Sequence, residues 1–285
     1  MQEISIEYQD CSENAPAYPT FSPIPTDHTT TYFKNSTPTG YEPQWSQNTT
    51  TVNYGPGADV ETTVCKLRFY IPDDIGPHVF FYYRLTNFYQ NHRRYVKSFD
   101  QDQLSGDFRS NSTISNSDCD PLRLDHETGK AYYPCGLIAN SLFNDTFFSP
   151  VLLDPRGSNA ANVTYQMTNQ GIAWSSDKDL YKPTAYTVDD VVPPPNWRLK
   201  YPTYNASFPL PPLHTWEEFH VWMRTAGLPT FSKLALRNDT AVMSSGQYEV
   251  DVYDCERLVA QTLLPLLTSL PQISPSLFMA APSPS

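Results

Sequence analysis

The chain has 285 residues and a formal net charge of −11; 39% of its residues are hydrophobic, 17% are charged, 14% are aromatic and 27 residues are proline. This composition excludes a disordered polyelectrolyte and a helical bundle, and the acidic charge argues against a nucleic-acid partner, because phosphate binding needs Lys and Arg. We predict an α+β fold that is mainly β, with antiparallel strands, long proline-rich loops and a few short helices.

The first half of the chain passes from a loop-like to a strand-like composition. Residues 12–62 are rich in Pro, Thr, Ser, Asn and Gly, which predicts a long, weakly ordered loop. The alternation from Leu67 to Ile71 has the period of a half-buried strand. The aromatic run from Val79 to Tyr89 predicts another strand that crosses the core.

The second half contains one helix signal among strands and proline-rich loops. Residues 163–167 and 248–252 alternate and predict two more strands, the first near the surface. Residues 183–213 are too rich in proline to pair as a central strand and should wrap the surface. Thr215 and Glu218 form a capping box, so a helix should begin there and end before Gly227.

The sequence changes character after Asp254. Residues 255–285 are rich in Leu, Pro and Ser, and five prolines interrupt every stretch that could form a long helix. We predict a folded domain over residues 1–254 and a divergent, disordered tail over residues 255–285.

Seven N-x-S/T sequons, none with a central proline, predict passage through the secretory lumen, where disulfides persist. They begin at Asn35, Asn48, Asn111, Asn144, Asn162, Asn205 and Asn238. The alternative is chance in a sequence rich in Asn, Ser and Thr.

The five cysteines form no C-x-x-C pair and have no nearby histidines at zinc-ligand spacing, so no metal site is predicted. They are Cys11, Cys65, Cys119, Cys135 and Cys255.

The start of the chain conflicts with a secretory destination. Met1 is followed by neither a basic segment nor an apolar segment of the kind found in signal peptides. No window of the sequence supplies the ~18 to 20 apolar residues of a membrane helix. We therefore expect that the chain is a fragment or that its ends are wrongly defined.

No catalytic motif is present in the sequence. It contains no nucleophile elbow, no phosphate-binding glycine loop and no H-E-x-x-H motif. His214 and His220 are six residues apart and do not share one helix face as a ligand pair would. Adjacent acids such as Asp73 and Asp74 leave a glycosidase pair open on composition alone, but such pairs in loops are usually solvated. We predict no catalytic residues, no cofactor and no enzymatic activity.

One short basic segment stands out against the acidic background. It consists of His92, Arg93, Arg94 and Lys97. A solvated or ion-paired face is one reading of this segment. A surface that binds a partner is the other.

Six stretches of the chain resemble one family, the cell division control protein 50 (ligand-effect modulator) family, which comprises beta subunits of type IV P-type ATPase lipid flippases. They are EISIEYQDC (3–11), NFYQNHRRYVKS (87–98), PCGLIANSLFNDTF (134–147), GIAWSSDK (171–178), PPNW (194–197) and EEFHVWMRTAGLPTFSKL (217–234). The resemblance covers roughly residues 3–254.

The resemblance implies a β-rich extracytoplasmic domain held between two membrane helices, in a membrane of the secretory pathway. The partner would be the alpha subunit of a type IV P-type ATPase, and the beta subunit would support its folding, its export from the endoplasmic reticulum and lipid transport. The basic segment would then meet the ATPase or lipid headgroups.

The resemblance also implies particular residue roles. It pairs Cys11 with Cys65 and Cys119 with Cys135, leaves Cys255 free, and makes Asn144 the best-supported glycosylation site. The family continues after the strand near Tyr253 with a further strand and a membrane helix that this sequence lacks. We therefore interpret the tail as sequence read through an intron or in a shifted frame, and we expect the sheet to lack one strand and to expose an edge.

Two other functional hypotheses remain open on the sequence. One is a soluble secreted glycoprotein that binds carbohydrate or protein through its many tyrosines and tryptophans. The other is a truncated family member without a stable function.

Overall fold

The computed structural model of the protein describes residues 2–155, 161–254 and 274–281. Within these ranges the strands are β1 (Gln2–Glu7), β2 (Ser22–Pro23), β3 (Thr29–Tyr32), β4 (Gln44–Asn53), β5 (Asp59–Ile71), β6 (Val79–Thr86), β7 (Ala131–Tyr132), β8 (Thr146–Phe147), β9 (Val151–Leu153), β10 (Val163–Thr164), β11 (Val191–Val192), β12 (Phe231–Asn238), β13 (Gly246–Asp254) and β14 (Ser274–Ala281).

The helices are short. They are α1 (Cys11–Asn14), α2 (Arg93–Lys97), α3 (Gln101–Leu104), α4 (Asn111–Ile114), α5 (Leu137–Asn140), α6 (Ser175–Lys178) and α7 (Glu217–Met223), with 3₁₀ turns at Thr26–His28 and Pro195–Trp197. In the ranges that the structure describes, no helix combines the length and the apolar character needed to cross a bilayer.

Two antiparallel sheets form the framework. The five-stranded sheet has the order β12-β6-β14-β1-β3; the larger sheet has the order β10-β9-β13-β5-β4-β2, with β8 also paired to β13. β7 and β11 pair in parallel as a small separate sheet. The predicted fold class, mainly β and antiparallel with few short helices, is confirmed.

The inward faces of both large sheets share one hydrophobic core. Leu67, Phe69 and Ile71 of β5 are buried, as their alternation predicts, and they join Phe81 of β6 and Leu277 of β14 in this core. Each fully buried side chain of this kind contributes about 1.5–3 kcal/mol relative to an exposed one. This core therefore fixes the register of both sheets.

A second hydrophobic core lies between the loops and short helices. It contains Val191, Trp197 and Tyr204, which pack with Tyr133 and with Phe219 of α7. The prediction that residues 183–213 only wrap the surface is wrong at these positions, because their apolar side chains bury themselves under the proline-rich backbone.

Residues 12–62 contain three strands and the start of a fourth, so the prediction of a weakly ordered loop is wrong. β4 pairs with β5 from Gln44 opposite Arg68 to Asn53 opposite Asp59. Its consecutive threonines favoured a loop in the sequence. Threonine is β-branched and suits a strand whose outer face meets water.

The tail supplies a strand in the middle of the five-stranded sheet. β14 pairs with β1 on one side and with β6 on the other. The predicted disorder is therefore wrong for Ser274–Ala281, and so is the prediction that this sheet lacks a strand. Cys255 and the other tail residues lie outside the described ranges, and the domain boundary at residue 254 stays a prediction.

The main helix begins one residue later than the capping box predicts. α7 starts at Glu217, and its N-cap residue, Trp216, makes no side-chain cap. Thr215 instead donates its hydroxyl to the carbonyl oxygen of Pro212 at 3.2 Å. The capping prediction is wrong because local hydrogen bonds of the preceding loop use the threonine.

Candidate functional site

The predicted basic segment lies beyond the C-terminal end of β6, an inner strand of the five-stranded sheet, and most of it forms the short helix α2. α2 follows β6 after a turn in which Asn87 has a φ of 60°. One histidine and three cationic side chains are exposed there, and none forms an ion pair with a residue of the described ranges. We call His92, Arg93, Arg94 and Lys97 the basic surface.

The inward side of α2 is anchored by a buried hydrogen-bond chain. The hydroxyl group of Tyr95 lies 2.8 Å from Ser141 Oγ and accepts a bond from Gln90 Nε2 at 3.4 Å. Gln90 is buried, and its Oε1 accepts from the backbone N–H of Ala226 at 2.9 Å. Burial raises the pKa of Tyr95, so its hydroxyl stays protonated. The anchor holds α2 with its cations turned outward.

Exposed apolar side chains accompany the basic surface. Tyr89, Val96 and Leu228 are 43%, 37% and 68% exposed. Asn91 Nδ2 donates to the carbonyl oxygen of Gly227 at 3.0 Å, which brings the loop of Leu228 beside the loop that precedes α2. A surface of cations and apolar groups complements a partner that carries carboxylates and apolar side chains.

A cleft of about 640 Å³ opens beside Lys97. Its walls carry both signs of charge, and three of these charges have partners within the cleft: Asp100 accepts from the N–H of Gln103 at 2.8 Å, and Arg109 Nη1 lies 2.9 Å from Asp102 Oδ2. The cleft therefore presents less unbalanced charge than the basic surface, which is the stronger candidate for binding.

Four of the six resembling stretches meet at α5. Trp222 Nε1 donates to the carbonyl oxygen of Ile138 at 2.7 Å, and Trp197 Nε1 donates to that of Ala139 at 2.9 Å. The hydrogen bond between Tyr95 and Ser141 connects the stretch 87–98, which contains the basic segment, to the same region. We call this set of bonds the α5 junction.

The remaining two stretches attach to the same network. Tyr8 donates its hydroxyl to Asp145 Oδ2 at 2.9 Å. Lys178 Nζ lies 2.6 Å from Glu217 Oε1, and Glu217 Oε2 accepts from the N–H of Ala173 at 3.0 Å. Burial opposes ionisation of Glu217, but these bonds outweigh it and lower the pKa of its carboxyl group. The resembling stretches thus form the framework of the fold, and the basic side chains at α2 are among their members that face solvent.

Gly136 lets two of these stretches approach closely. Its φ is 98°, and a Cβ atom built there would lie 2.0 Å from the carbonyl oxygen of Ser98. Ser98 Oγ accepts from the N–H of Leu137 and donates to the carbonyl oxygen of Asp120, both at 2.8 Å. Only glycine combines this backbone conformation with the contact.

Each of the two hydrophobic cores contains one disulfide. Cys11 bonds to Cys65 and Cys119 bonds to Cys135, at sequence separations of 54 and 16. These are the pairs that the family resemblance implies and that spacing alone leaves open. The first joins α1 to β5, and the second closes a loop within the second core.

All seven sequon asparagines lie in the described ranges. Asn35, Asn111 and Asn162 are exposed, whereas the other four are half-buried. The half-buried set is Asn48, Asn144, Asn205 and Asn238. Glycosylation of these residues stays a prediction.

His220, Asp73 and Asp74, which were considered for catalysis, have structural partners. His220 is buried, stacks on Tyr181 with ring centroids 4.2 Å apart, and bonds through Nε2 to the carbonyl oxygen of Leu213. Asp73 accepts backbone N–H groups from the loop after β3, and Asp74 accepts from the N–H of Ser245. Among the described residues no group of three acidic, histidine or cysteine side chains could hold a metal ion.

A buried lysine was missed by the sequence analysis. Lys233 on β12 is 6% exposed. Its Nζ donates to the carbonyl oxygens of Val221 and Trp222 at 2.9 and 3.0 Å, and also to that of Arg224. It therefore satisfies carbonyl groups at the C-terminal end of α7, which have no partner within the helix. Its inward position in an alternating strand was the signal that could have found it.

Taken together, the structure defines a disulfide-linked β-domain whose resembling stretches form one hydrogen-bonded framework. The sequence model of the LEM3 (ligand-effect modulator 3) family / CDC50 family matches residues 1–255. The chain belongs to this family.

Relatives come from fungi and animals. The chain is 46% identical, over 88% of its length and 62% of the relative's, to the phospholipid-transporting ATPase accessory subunit CDC50 of Chaetomium thermophilum. It is 38% identical, over 88% of its length and 60% of the relative's, to the accessory subunit CRF1 of Saccharomyces cerevisiae. With cell cycle control protein 50A of Mus musculus the identity is 36%, over 68% of this chain and 55% of the relative. The chain thus spans about 55–62% of these relatives.

Proposed function

We propose that this chain is the extracytoplasmic part of a noncatalytic accessory subunit of a phospholipid-transporting P-type ATPase. The observation that carries the proposal is its 46% identity over 88% of the chain with a protein named as such a subunit. In this role the chain supports folding of the ATPase, its export from the endoplasmic reticulum and its lipid transport, while the ATPase performs the chemistry.

The basic surface is the proposed contact with the partner. β6 runs from Val79 to Thr86, and α2 follows its C-terminal end. Gln2 of β1 lies at the opposite end of the strands of this sheet. Eight strand residues span about 27 Å. The resemblance places a membrane helix before Glu3, so the basic surface would lie far from the headgroups on that side. We therefore favour a protein contact over a lipid contact.

The domain is proposed to lie on the luminal or extracellular side of a secretory-pathway membrane. Two disulfides support this placement, because disulfides persist in oxidising compartments and are rare in the cytosol. The predicted glycans at the seven sequons fit the same placement.

The test is co-expression with a type IV P-type ATPase in cells, followed by affinity purification of the ATPase. A triple charge reversal, Arg93→Glu with Arg94→Glu and Lys97→Glu, should reduce the amount of subunit recovered by at least tenfold. Lys34→Glu with Lys182→Glu, which reverses two exposed lysines outside the basic surface, is the control and should leave recovery unchanged.

The outcomes separate the claims. If the wild-type chain is not recovered with any type IV ATPase, the accessory-subunit proposal fails, and a soluble binding protein or a truncated family member takes its place. If the wild-type chain is recovered and the reversal has no effect, only the assignment of the basic surface fails.

A further inference from the structure

We propose that N-linked glycans protect the open edges of the two large sheets from pairing with a second copy of this chain. The inference rests on the secretory location proposed above. An edge strand presents unpaired N–H and C=O groups that can template pairing with another chain. A bulky, hydrophilic glycan at such an edge blocks the approach of a second strand.

Both edges of the five-stranded sheet carry a sequon. β3 is one edge, and Asn35 follows its last residue, Tyr32, by three positions. β12 is the other edge, and Asn238 is its last residue. The neighbouring Arg237 exchanges backbone hydrogen bonds with Thr168, and Asn238 Nδ2 donates to the carbonyl oxygen of Gln166 at 2.6 Å, so the Asn238 sequon lies where this outer segment runs alongside the end of β12.

The larger sheet has the same arrangement. Asn162 immediately precedes β10, which is one edge. Asn144 lies two residues before β8, which pairs with β13 and has no further partner among the described strands.

The opposite side of this sheet ends at β4. β2 covers only Gln44 and Trp45, and Ala17 bridges to Gln47. Asn48 is the next residue, so this sequon begins where β4 becomes an open edge within the described part of the chain.

Two of these edges, β4 and β3, lack the charges and prolines that proteins use to block pairing. Residues 48–53 read NTTTVN and residues 29–32 read TTTY, without charge or proline. Threonine, valine and tyrosine favour strands. Tyr32 and Val163 are 59% and 53% exposed, so the edges at β3 and β10 also present apolar surface. An uncharged, β-prone edge is the kind that aggregates unless something covers it.

The two remaining sequons provide internal controls. Asn111 begins α4, and Asn205 lies in the loop that covers the second core. Neither is on an edge strand of a large sheet. Their glycans should therefore have little effect on strand pairing.

The experiment removes sequons at their hydroxyl residue, which leaves every asparagine side chain in place. The edge variant carries Thr→Ala at positions 37, 50, 146, 164 and 240. Its matched control carries Thr→Ser at the same positions, which keeps all five sequons. A second control carries Thr113→Ala with Ser207→Ala. Intact mass gives the glycan occupancy, and light scattering after size-exclusion chromatography gives the monomer fraction of the secreted protein.

The edge variant should lose its monomer peak as the protein concentration rises, while both controls stay monomeric. Trimming the glycans of folded wild-type protein with an endoglycosidase should produce the same self-association, which covers the case in which the edge variant is not secreted. Equal behaviour of the edge variant and the second control would overturn the proposal, as would wild-type protein with glycans only at Asn111 and Asn205. Complete absence of glycans would instead contradict the secretory location and the proposed function itself.

Discussion

Trp222 donates its indole N–H to the carbonyl oxygen of Ile138 at 2.7 Å, across 84 residues of sequence. This bond joins α7 to α5 and is the central contact of the α5 junction. Trp222 is 1% exposed and belongs to the first core, whereas Phe219 one turn earlier belongs to the second core. α7 therefore couples the two cores of the molecule.

Replacing this indole should destabilise the whole domain. Trp222→Phe removes the indole donor to the carbonyl group of Ile138, leaves only the longer bond from Ser141 Oγ at 3.2 Å, and opens a void, so we expect the free energy of unfolding to fall by about 2–4 kcal/mol. Urea denaturation followed by circular dichroism measures it. Trp174→Phe is the control, because Trp174 is 63% exposed and its replacement should cost less than about 1 kcal/mol. Equal losses in the two variants would contradict the junction.

The two disulfides should differ in their contribution to stability. Cys11–Cys65 spans 54 residues and Cys119–Cys135 spans 16. Because each bridge restricts the unfolded chain, the first should raise the free energy of unfolding by about 4 kcal/mol and the second by about 3 kcal/mol. Double Cys→Ala variants, one for each bridge, test this by thermal denaturation. A larger loss from removal of the short bridge would show that native contacts outweigh loop length.

Lys233 should make stability rise with pH above neutrality. Burial and, to a lesser extent, the nearby Arg224 lower the pKa of Lys233 to about 7, against the opposing effect of Asp177. The unfolded lysine has a pKa of about 10.4, so between about pH 7 and pH 10 the unfolded chain binds a proton that the folded chain does not. The free energy of unfolding therefore rises with pH in this window.

The test for Lys233 is denaturation by urea at pH 7, 8 and 9. Lys233→Met should remove the part of the slope that the lysine causes. Lys182→Met, an exposed lysine, should keep the wild-type slope. If the slope of Lys233→Met equals that of wild type, the lysine remains charged in the fold, held by its three carbonyl acceptors.

Asp125 should contribute to the loss of stability in acid. Burial alone would raise its pKa, but hydrogen bonds from Thr128 and Arg198 lower the pKa of Asp125 to about 2. The unfolded value is about 3.9, so the stabilisation is complete above that pH and is lost as the pH falls toward 2.

Arg198→Met should remove part of the stabilisation that ionised Asp125 provides, because Arg198 Nη2 lies 2.8 Å from Asp125 Oδ1. We expect a loss of about 1 kcal/mol at pH 6 and a smaller difference from wild type near pH 2. Arg123→Met, whose partner Asp120 is mainly exposed, serves as the control. A loss in Arg198→Met that does not depend on pH would indicate packing rather than charge.

The sequence predicted those elements whose two faces differ. β5 alternates apolar and polar residues, so its buried face was visible in the sequence. β4 was missed because its exposed threonines and asparagines are also typical of loops. β14 was missed because Pro275 near its start and the surrounding serines hide the alternation of the buried residues Leu277, Met279 and Ala281.

The candidate site was only partly predictable. The exposure of the basic segment follows from its charge, but the anchor through Tyr95 and Ser141 depends on residues 46 positions apart. The α5 junction likewise consists of tryptophan-to-carbonyl bonds over long separations, which no local pattern encodes. The cysteine pairs came from the family resemblance, because four cysteines allow three connectivities.

The most direct test of the accessory-subunit proposal is purification of the protein from cells that express a type IV P-type ATPase, with mass spectrometry of the recovered complex. If the chain is an accessory subunit that binds through the basic surface, the ATPase is recovered stoichiometrically with the wild-type chain. The triple reversal of Arg93, Arg94 and Lys97 then reduces recovery at least tenfold. Recovery of the chain without any P-type ATPase, at a normal yield of folded glycoprotein, would contradict the proposal.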